Sequence, residues 1–289
     1  MGTSNSFGGP NNSTPLIPTW LEPDAPIMPL PPGGVQPDGS EKPAIVPEAP
    51  IKLPAIRPAP NRFTTARTNF TQFSRSNGGD SAGLGRAVSN YVSKSSGGSR
   101  QAARRMGASR KSGSRLLAFM ATAINNGVEE ALQELNLENL AGRPIAEIFL
   151  GMIDYICPEG GTIDEGIARD SFVEMIASLV ISGITDLNAL NSDQMQTVFE
   201  LYATHTIQNR LYNDIANKAI QVSSNPRLAR QIQTQLFDFI RRGVSDALAA
   251  SQDSLQTLTK KNVSDFVNSV YEDAFAILQK LGEMETEAV

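Results

Sequence analysis

The sequence predicts an all-α protein: a multi-helix, bundle-like domain over residues 116–289, of about six helices, behind a long extension that is first proline-rich and then basic. Three observations carry this. Apolar residues from Leu116 onward recur at steps of three and four. Fifteen of the 18 prolines lie within residues 1–60, and the other three, Pro144, Pro158 and Pro226, stand where helices begin or end. Strand-like alternation is scarce after residue 116.

Residues 1–60 read as an extended polyproline-like tail. Spacings such as Pro26, Pro29, Pro31, Pro32 and Pro43, Pro47, Pro50, Pro54 interrupt any hydrogen-bond ladder and keep the backbone stiff and solvated. One apolar island, Leu16, Ile17, Trp20 and Leu21, holds the single tryptophan of the chain where nothing local can bury it. Tryptophan is enriched at interface anchors, so the island is expected to dock on a partner; the plain alternative is an idle hydrophobe.

Residues 61–115 change to Gly, Ser, Asn and Arg and read as a basic strap. Residues 1–56 sum to −3, residues 57–115 to +11 and residues 116–289 to −13, so the net −5 conceals a basic middle. That middle can attract phosphate, an acidic protein surface or the acidic half of the same chain. Phe63, Phe70, Phe73 and Tyr91 interleave with Arg62, Arg67, Arg75 and Arg86, ahead of Arg104, Arg105, Arg110 and Lys111. In composition this fits a nucleic-acid-binding segment that stacks on bases and neutralises phosphates. It fits equally a strap whose aromatic residues enter grooves of a protein partner.

The first helix is expected from Leu116 to Leu135. The second starts at Pro144 and ends before Cys157-Pro158-Glu159-Gly160-Gly161. Thr162 and Glu165 form a capping box for a third helix reaching Ser182, next to Gly183. Asn191 or Ser192 caps a fourth helix to about Val222, and Asn225-Pro226 starts a fifth to about Ala250. The sixth runs from near Lys260 to Leu281. Together they are long enough to bury a core.

Little points to catalysis. Cys157 and His205, the sole cysteine and histidine, leave no disulfide framework and no clustered zinc ligands, and nothing in the sequence ties them into a nucleophile pair. The pairs Glu129-Glu130, Asp164-Glu165 and Glu272-Asp273 diverge by about 100° on a helix, and no glycine-rich piece carries the lysine of a phosphate loop. No catalytic residue, metal site or cofactor is expected, nor a membrane span; the chain reads as soluble and cytoplasmic. The amino terminus is more informative. Small Gly2 permits removal of Met1, and a free α-amine, with a pKa of about 7.7 to 8.0, is partly neutral and nucleophilic near pH 7. Gly2 is therefore a candidate acyl acceptor, with Thr3, Ser4 and Phe7 in the narrow lead behind it.

Several short motifs occur in a fixed order: Met1-Gly2-Thr3-Ser4 with Gly8-Gly9-Pro10, Leu16-Ile17-Pro18-Thr19-Trp20, Arg62-Phe63 through Asn69-Phe70-Thr71-Gln72-Phe73, and Arg104-Arg105-Met106-Gly107-Ala108-Ser109-Arg110. This order resembles the QatB family of the QatABCD anti-phage defence systems, best over the first 115 residues. The resemblance implies a non-enzymatic defence component that works beside a QueC-like enzyme (QatC), an ATPase and a TatD-like nuclease. It also implies a role for Gly2. QueC enzymes activate a deazaguanine carboxylate with ATP and pass it to ammonia, and an exposed glycine amine can take the place of ammonia. Phe63, Phe70, Phe73, Arg104 and Arg105 are then expected, with the Trp20 island, to face the partner.

Overall fold

The computed structural model describes residues 61–216, 225–251, 258–259 and 261–287, and every regular element among them is helical. In chain order they are α1 (Thr64–Arg75), α2 (Ser81–Asn90), a π-helical turn (Tyr91–Ser96), α3 (Ser99–Arg104), α4 (Gly107–Asn126) and α5 (Val128–Gln133). A 3₁₀ turn (Glu138–Leu140), α6 (Ile145–Gly151), α7 (Ile153–Ile156), α8 (Ile163–Ile181) and α9 (Ser192–Leu211) follow. A second π-helical turn (Tyr212–Ala216), α10 (Pro226–Ala250) and α11 (Val263–Glu287) complete the order.

The starts are chemically determined. Thr162 and Glu165 form the expected reciprocal capping box on α8, Asn191 and Gln194 form another on α9, and Asn225 caps α10 with Pro226 in its first turn. Two expected helices are split, the second at Met152 into α6 and α7 and the first at Gly127. Gly127 has φ +103°, which a side chain would strain, and the chain breaks there into α4 and α5.

Helix α9 lies at the centre, packed by α8, α10 and α4. Its apolar residues Val198, Phe199, Tyr202, Ile207 and Leu211 are buried, and so are three polar ones. Glu200 takes a hydrogen bond from Arg241 Nε at 2.7 Å, and Thr206 Oγ1 shares one with Tyr271 OH at 2.7 Å. A buried polar group without a partner costs about 1–3 kcal/mol, so these two bonds offset part of the burial of α9, while Thr204 Oγ1 has no hydrogen-bond partner among the described residues.

The largest departure from expectation concerns residues 61–115. They are not a strap laid outside the domain: α1 to α3 belong to the same core as the later helices, and the first turns of α4 bury Ser109, Ser112 and Gly113. The most extensive helix contact in the body is α2 along α11, followed by α1 with α2. The cause is an apolar stripe diluted by small and polar residues: Ala66, Phe70 and Phe73 on α1, then Leu84, Ala87, Val88, Tyr91 and Val92. Each fully buried large side chain contributes roughly 1.5–3 kcal/mol, enough to outweigh the poor helix propensity of the Gly, Ser and Thr around it.

Candidate functional site

The densest charge cluster lies where the described chain begins. Phe63, just before α1, stacks on Tyr91 with ring centroids 5.8 Å apart and planes 14° from parallel. Three guanidinium groups ring it: Arg62 at 4.7 Å from the centroid, Arg105 at 5.1 Å and Arg67 at 5.4 Å. Beneath them sits Asp214, whose side chain is 9% exposed. Its Oδ2 accepts from Tyr91 OH at 3.0 Å and from Arg105 at 3.0 Å, and its main-chain carbonyl accepts from Arg67 Nε at 2.9 Å. Arg210 Nε lies 3.3 Å from the same Oδ2, within ion-pair distance but without an aligned hydrogen bond.

Local backbone geometry delivers these groups. Tyr91 opens the π turn after α2, and Asp214 lies in the π turn after α9. A π turn inserts a residue into the helical register and re-aims its side chains, and such turns recur at functional sites. Here two of them meet through one hydrogen bond.

The electrostatics are uneven. Arg62, Arg67, Arg105 and Arg210 face one carboxylate. Burial, and then the Arg105 charge, push the Arg62 guanidinium below its ordinary pKa. Burial raises the Tyr91 phenol well above its usual range, and Asp214 raises it further. Burial is the largest influence and works against the charge on Arg210, but Asp214 and Tyr91 together outweigh it and lift that pKa. Among the described residues Arg62 makes no hydrogen bond or ion pair, and Arg67 uses only its Nε, so both keep donors to offer.

The residues singled out in the sequence are scattered by the fold. Gly2, Thr3, Ser4, Phe7, Leu16, Ile17, Trp20 and Leu21 lie outside the described residues. Phe63 and Arg105 meet in the cluster above. Phe70 and Phe73, expected to face a partner, are instead 0% exposed in the core, edge to face with each other at 5.7 Å. Helical spacing turns both rings inward. Arg104 is exposed one residue before Arg105, which is turned inward to Asp214. Most other basic residues of the segment engage their own chain: Arg86 with Asp80 at 3.0 Å, Arg100 with Glu272 at 3.5 Å, Arg110 with Asn268 and Arg115 with the Ile156 carbonyl. Asp214 carried no signal in the sequence, because Tyr91, Arg105 and Arg67 are more than a hundred residues away and, of the charged groups around it, only Arg210, one turn before it, is local.

Two further groups bear on chemistry. Cys157 is buried at the end of α7, with its sulfur 3.5 Å from the Ala168 carbonyl, and burial raises its thiol pKa, which suppresses the thiolate. His205 lines a cavity of about 480 Å³ with Glu174, Gln208, Asn209, Tyr212 and Gln233. Its Nε2 is 3.0 Å from Ser178 Oγ and its Nδ1 is 3.2 Å from Glu174 Oε2. The trio resembles a hydrolytic triad in distance only. The Nδ1 proton is not aligned on Glu174, and Ser178 Oγ also lies 3.0 Å from the Glu174 carbonyl, one turn back on α8. A serine inside a regular helix has neighbouring amides engaged in the helical ladder, so they are not free to hold an oxyanion. Among the described residues no group of three His, Cys, Asp or Glu side chains is placed to hold a metal, and no helix is long and apolar enough to cross a membrane.

Against known proteins, residues 97–278 match the family model described as Qat anti-phage system associated protein QatB. The match covers more than half of the chain, from the glycines before α3 into the last turns of α11. No curated protein and no solved structure matches.

Proposed function

The chain belongs to the QatB family of the Qat anti-phage system, and on that premise we propose that it is a non-enzymatic, cytoplasmic adaptor of the defence complex that offers its Gly2 amine to a QueC-like partner. The observation that carries this reading is how the fold uses its side chains. Phe70, Phe73, Arg105 and Arg110, all attractive as contact residues in the sequence, are engaged inside the body. Of the partner-directed features left over, the Trp20 island and the glycine amine stand together in residues 1–60, and Arg104 is exposed on the body.

The chemistry assigned to Gly2 balances simply. The partner supplies a carboxylate activated as an acyl-adenylate, the neutral α-amine attacks the acyl carbon, AMP leaves and the amine loses a proton, giving an amide. Glycine has no side chain to obstruct that approach, and Thr3 and Ser4 behind it are small. The partner supplies the activating machinery; this chain supplies a nucleophile and the surface that brings it there. A contribution from the ATPase and the TatD-like nuclease belongs to the same proposal. The alternative, a nucleic-acid-binding subunit, is weakened by the internal engagement of Arg86, Arg100, Arg105, Arg110 and Arg115.

Intact-mass measurement after co-expression with the QueC-like partner tests the proposal. An added deazapurine-sized mass on the N-terminal peptide is expected, absent when Gly2 is replaced by a bulky residue. An unmodified glycine in a defence-competent system removes the acceptor role.

A further inference from the structure

We propose that the arginine cluster around Phe63 is a preformed receptor for a small phosphate-bearing ligand, with Arg62 and Arg67 as the groups that grip it and Arg105 beside them. The cluster sets four guanidinium groups, those of Arg62, Arg67, Arg105 and Arg210, against the single carboxylate of Asp214. Arg105 and Arg210 are held by Asp214, which is itself fixed by Tyr91 OH, and Arg67 is anchored through Nε to the Asp214 carbonyl. Anchoring at Nε leaves both terminal nitrogens of Arg67 unengaged, and Arg62 is engaged only with the face of Phe63. Two planar forks with open donors, converging on one ring, suit a tetrahedral oxyanion.

Charge selects phosphate over carboxylate. The cluster carries an excess of three positive charges, and a phosphate monoester brings about −1.5 to −2 with three acceptor oxygens, where a carboxylate brings one charge. Burial first and the Arg105 charge second push the Arg62 pKa down, and such an anion relieves the second of these. The shape of the site selects a single phosphate group over a nucleic-acid backbone. A strand needs a continued track of free cations, and of the basic residues that could extend one, Arg86, Arg100, Arg110 and Arg115 are paired within the chain while Arg104 is exposed. Stacking on a nucleobase is disfavoured too, because Phe63 already bears Tyr91 and three guanidinium groups. The cluster is built from residues other than Gly2 and its lead, so the binding test below and the intact-mass test of Gly2 fail or succeed separately.

Isothermal titration of the full-length protein with inorganic phosphate, pyrophosphate and ADP, at an ionic strength fixed with potassium chloride, tests this. Saturable binding is expected, with pyrophosphate and ADP alike and adenosine silent. Arg62→Gln should weaken pyrophosphate binding at least tenfold and Arg62→Gln with Arg67→Gln should abolish it, while Arg62→Lys retains part of it. Circular dichroism and melting of Arg62→Gln without ligand should match the parent, since Arg62 makes no hydrogen bond that folding needs. Four results overturn the proposal: pyrophosphate affinity unchanged in the double variant, acetate binding as tightly as phosphate, adenosine binding as tightly as ADP, or an oligonucleotide binding where pyrophosphate does not.

Discussion

At the scale of single residues, Asp214 is the group on which the Phe63 cluster turns. It is the one carboxylate shared by Arg105, Arg210 and Tyr91, and it is nearly buried. Removing one partner from a buried ionic network leaves the others desolvated and unpaired, which costs about 3–5 kcal/mol. Asp214→Ala should therefore lower the urea midpoint by that equivalent, whereas Arg62→Gln should shift it by less than about 0.5 kcal/mol, as a surface change does; equal effects would show that Asp214 does not organise the cluster. Glu174 gives a pH signature. Burial opposes its charge, but the nearby His205 ring and the hydrogen bond from Asn209 together prevail and hold its pKa below the usual carboxylate range. A carboxyl with a depressed folded pKa binds its proton more readily when unfolded, so its stabilisation is complete above the ordinary value of about 4.3 and is lost as pH falls through the folded value. The side chain is 47% exposed, so solvent screening keeps the contribution under about 1 kcal/mol. The melting temperatures of the parent and Glu174→Gln should differ slightly at pH 7 and converge near pH 3; a gap that widens on acidification contradicts this sign.

At the scale of helices, the contact of α2 with α11 rests on the absence of two side chains. A Cβ at Gly282 would collide with the backbone carbonyl of Gly85, and neither backbone can yield without parting the helices. Gly282→Ala should destabilise by about 1–3 kcal/mol, the range for overpacking, whereas alanine at exposed Gly166, with nothing within 4 Å, should be neutral or stabilising; chemical denaturation separates the two. This pair also shows why the first helices were not legible in the sequence. Segment 81–90 reads Ser-Ala-Gly-Leu-Gly-Arg-Ala-Val-Ser-Asn, a composition of loops, yet Gly85 is the means of close packing against Gly282. α8 to α10 were legible because their caps, Thr162, Asn191 and Asn225, are local signals that need no partner. The Phe63 cluster was half legible. Its aromatic and basic residues stood out near the start of the body, but Asp214, the counter-charge that says which way they point, is 109 residues from Arg105 and becomes visible only in the fold.

At the scale of the molecule, the basic middle and the acidic C-terminal part are two portions of one body, and this changes what a truncation does. Helix α11 buries Val267, Val270, Tyr271, Ala274, Phe275 and Leu278, and it is packed by α2 and α3 on one side and by α10 on another. A fragment starting at residue 116 keeps α11 but loses α1 to α3, exposing apolar surface along its length and leaving Asp214 and Arg210 without Tyr91 and Arg105. It also loses the first turns of α4, whose Ser109 carbonyl accepts from the buried Tyr202 OH at 3.1 Å. Each buried apolar side chain exposed again forfeits roughly 1.5–3 kcal/mol, against a total stability of about 5–15 kcal/mol for a domain, so the loss of a few such contacts exceeds what the fragment has. A fragment of residues 61–289 should melt cooperatively at the temperature of the full chain, and one of residues 116–289 should be aggregated or non-cooperative. Calorimetry and circular dichroism of the two decide the matter, and a sharp, reversible transition in the shorter fragment would show that the first three helices are an attachment to the body and not part of it.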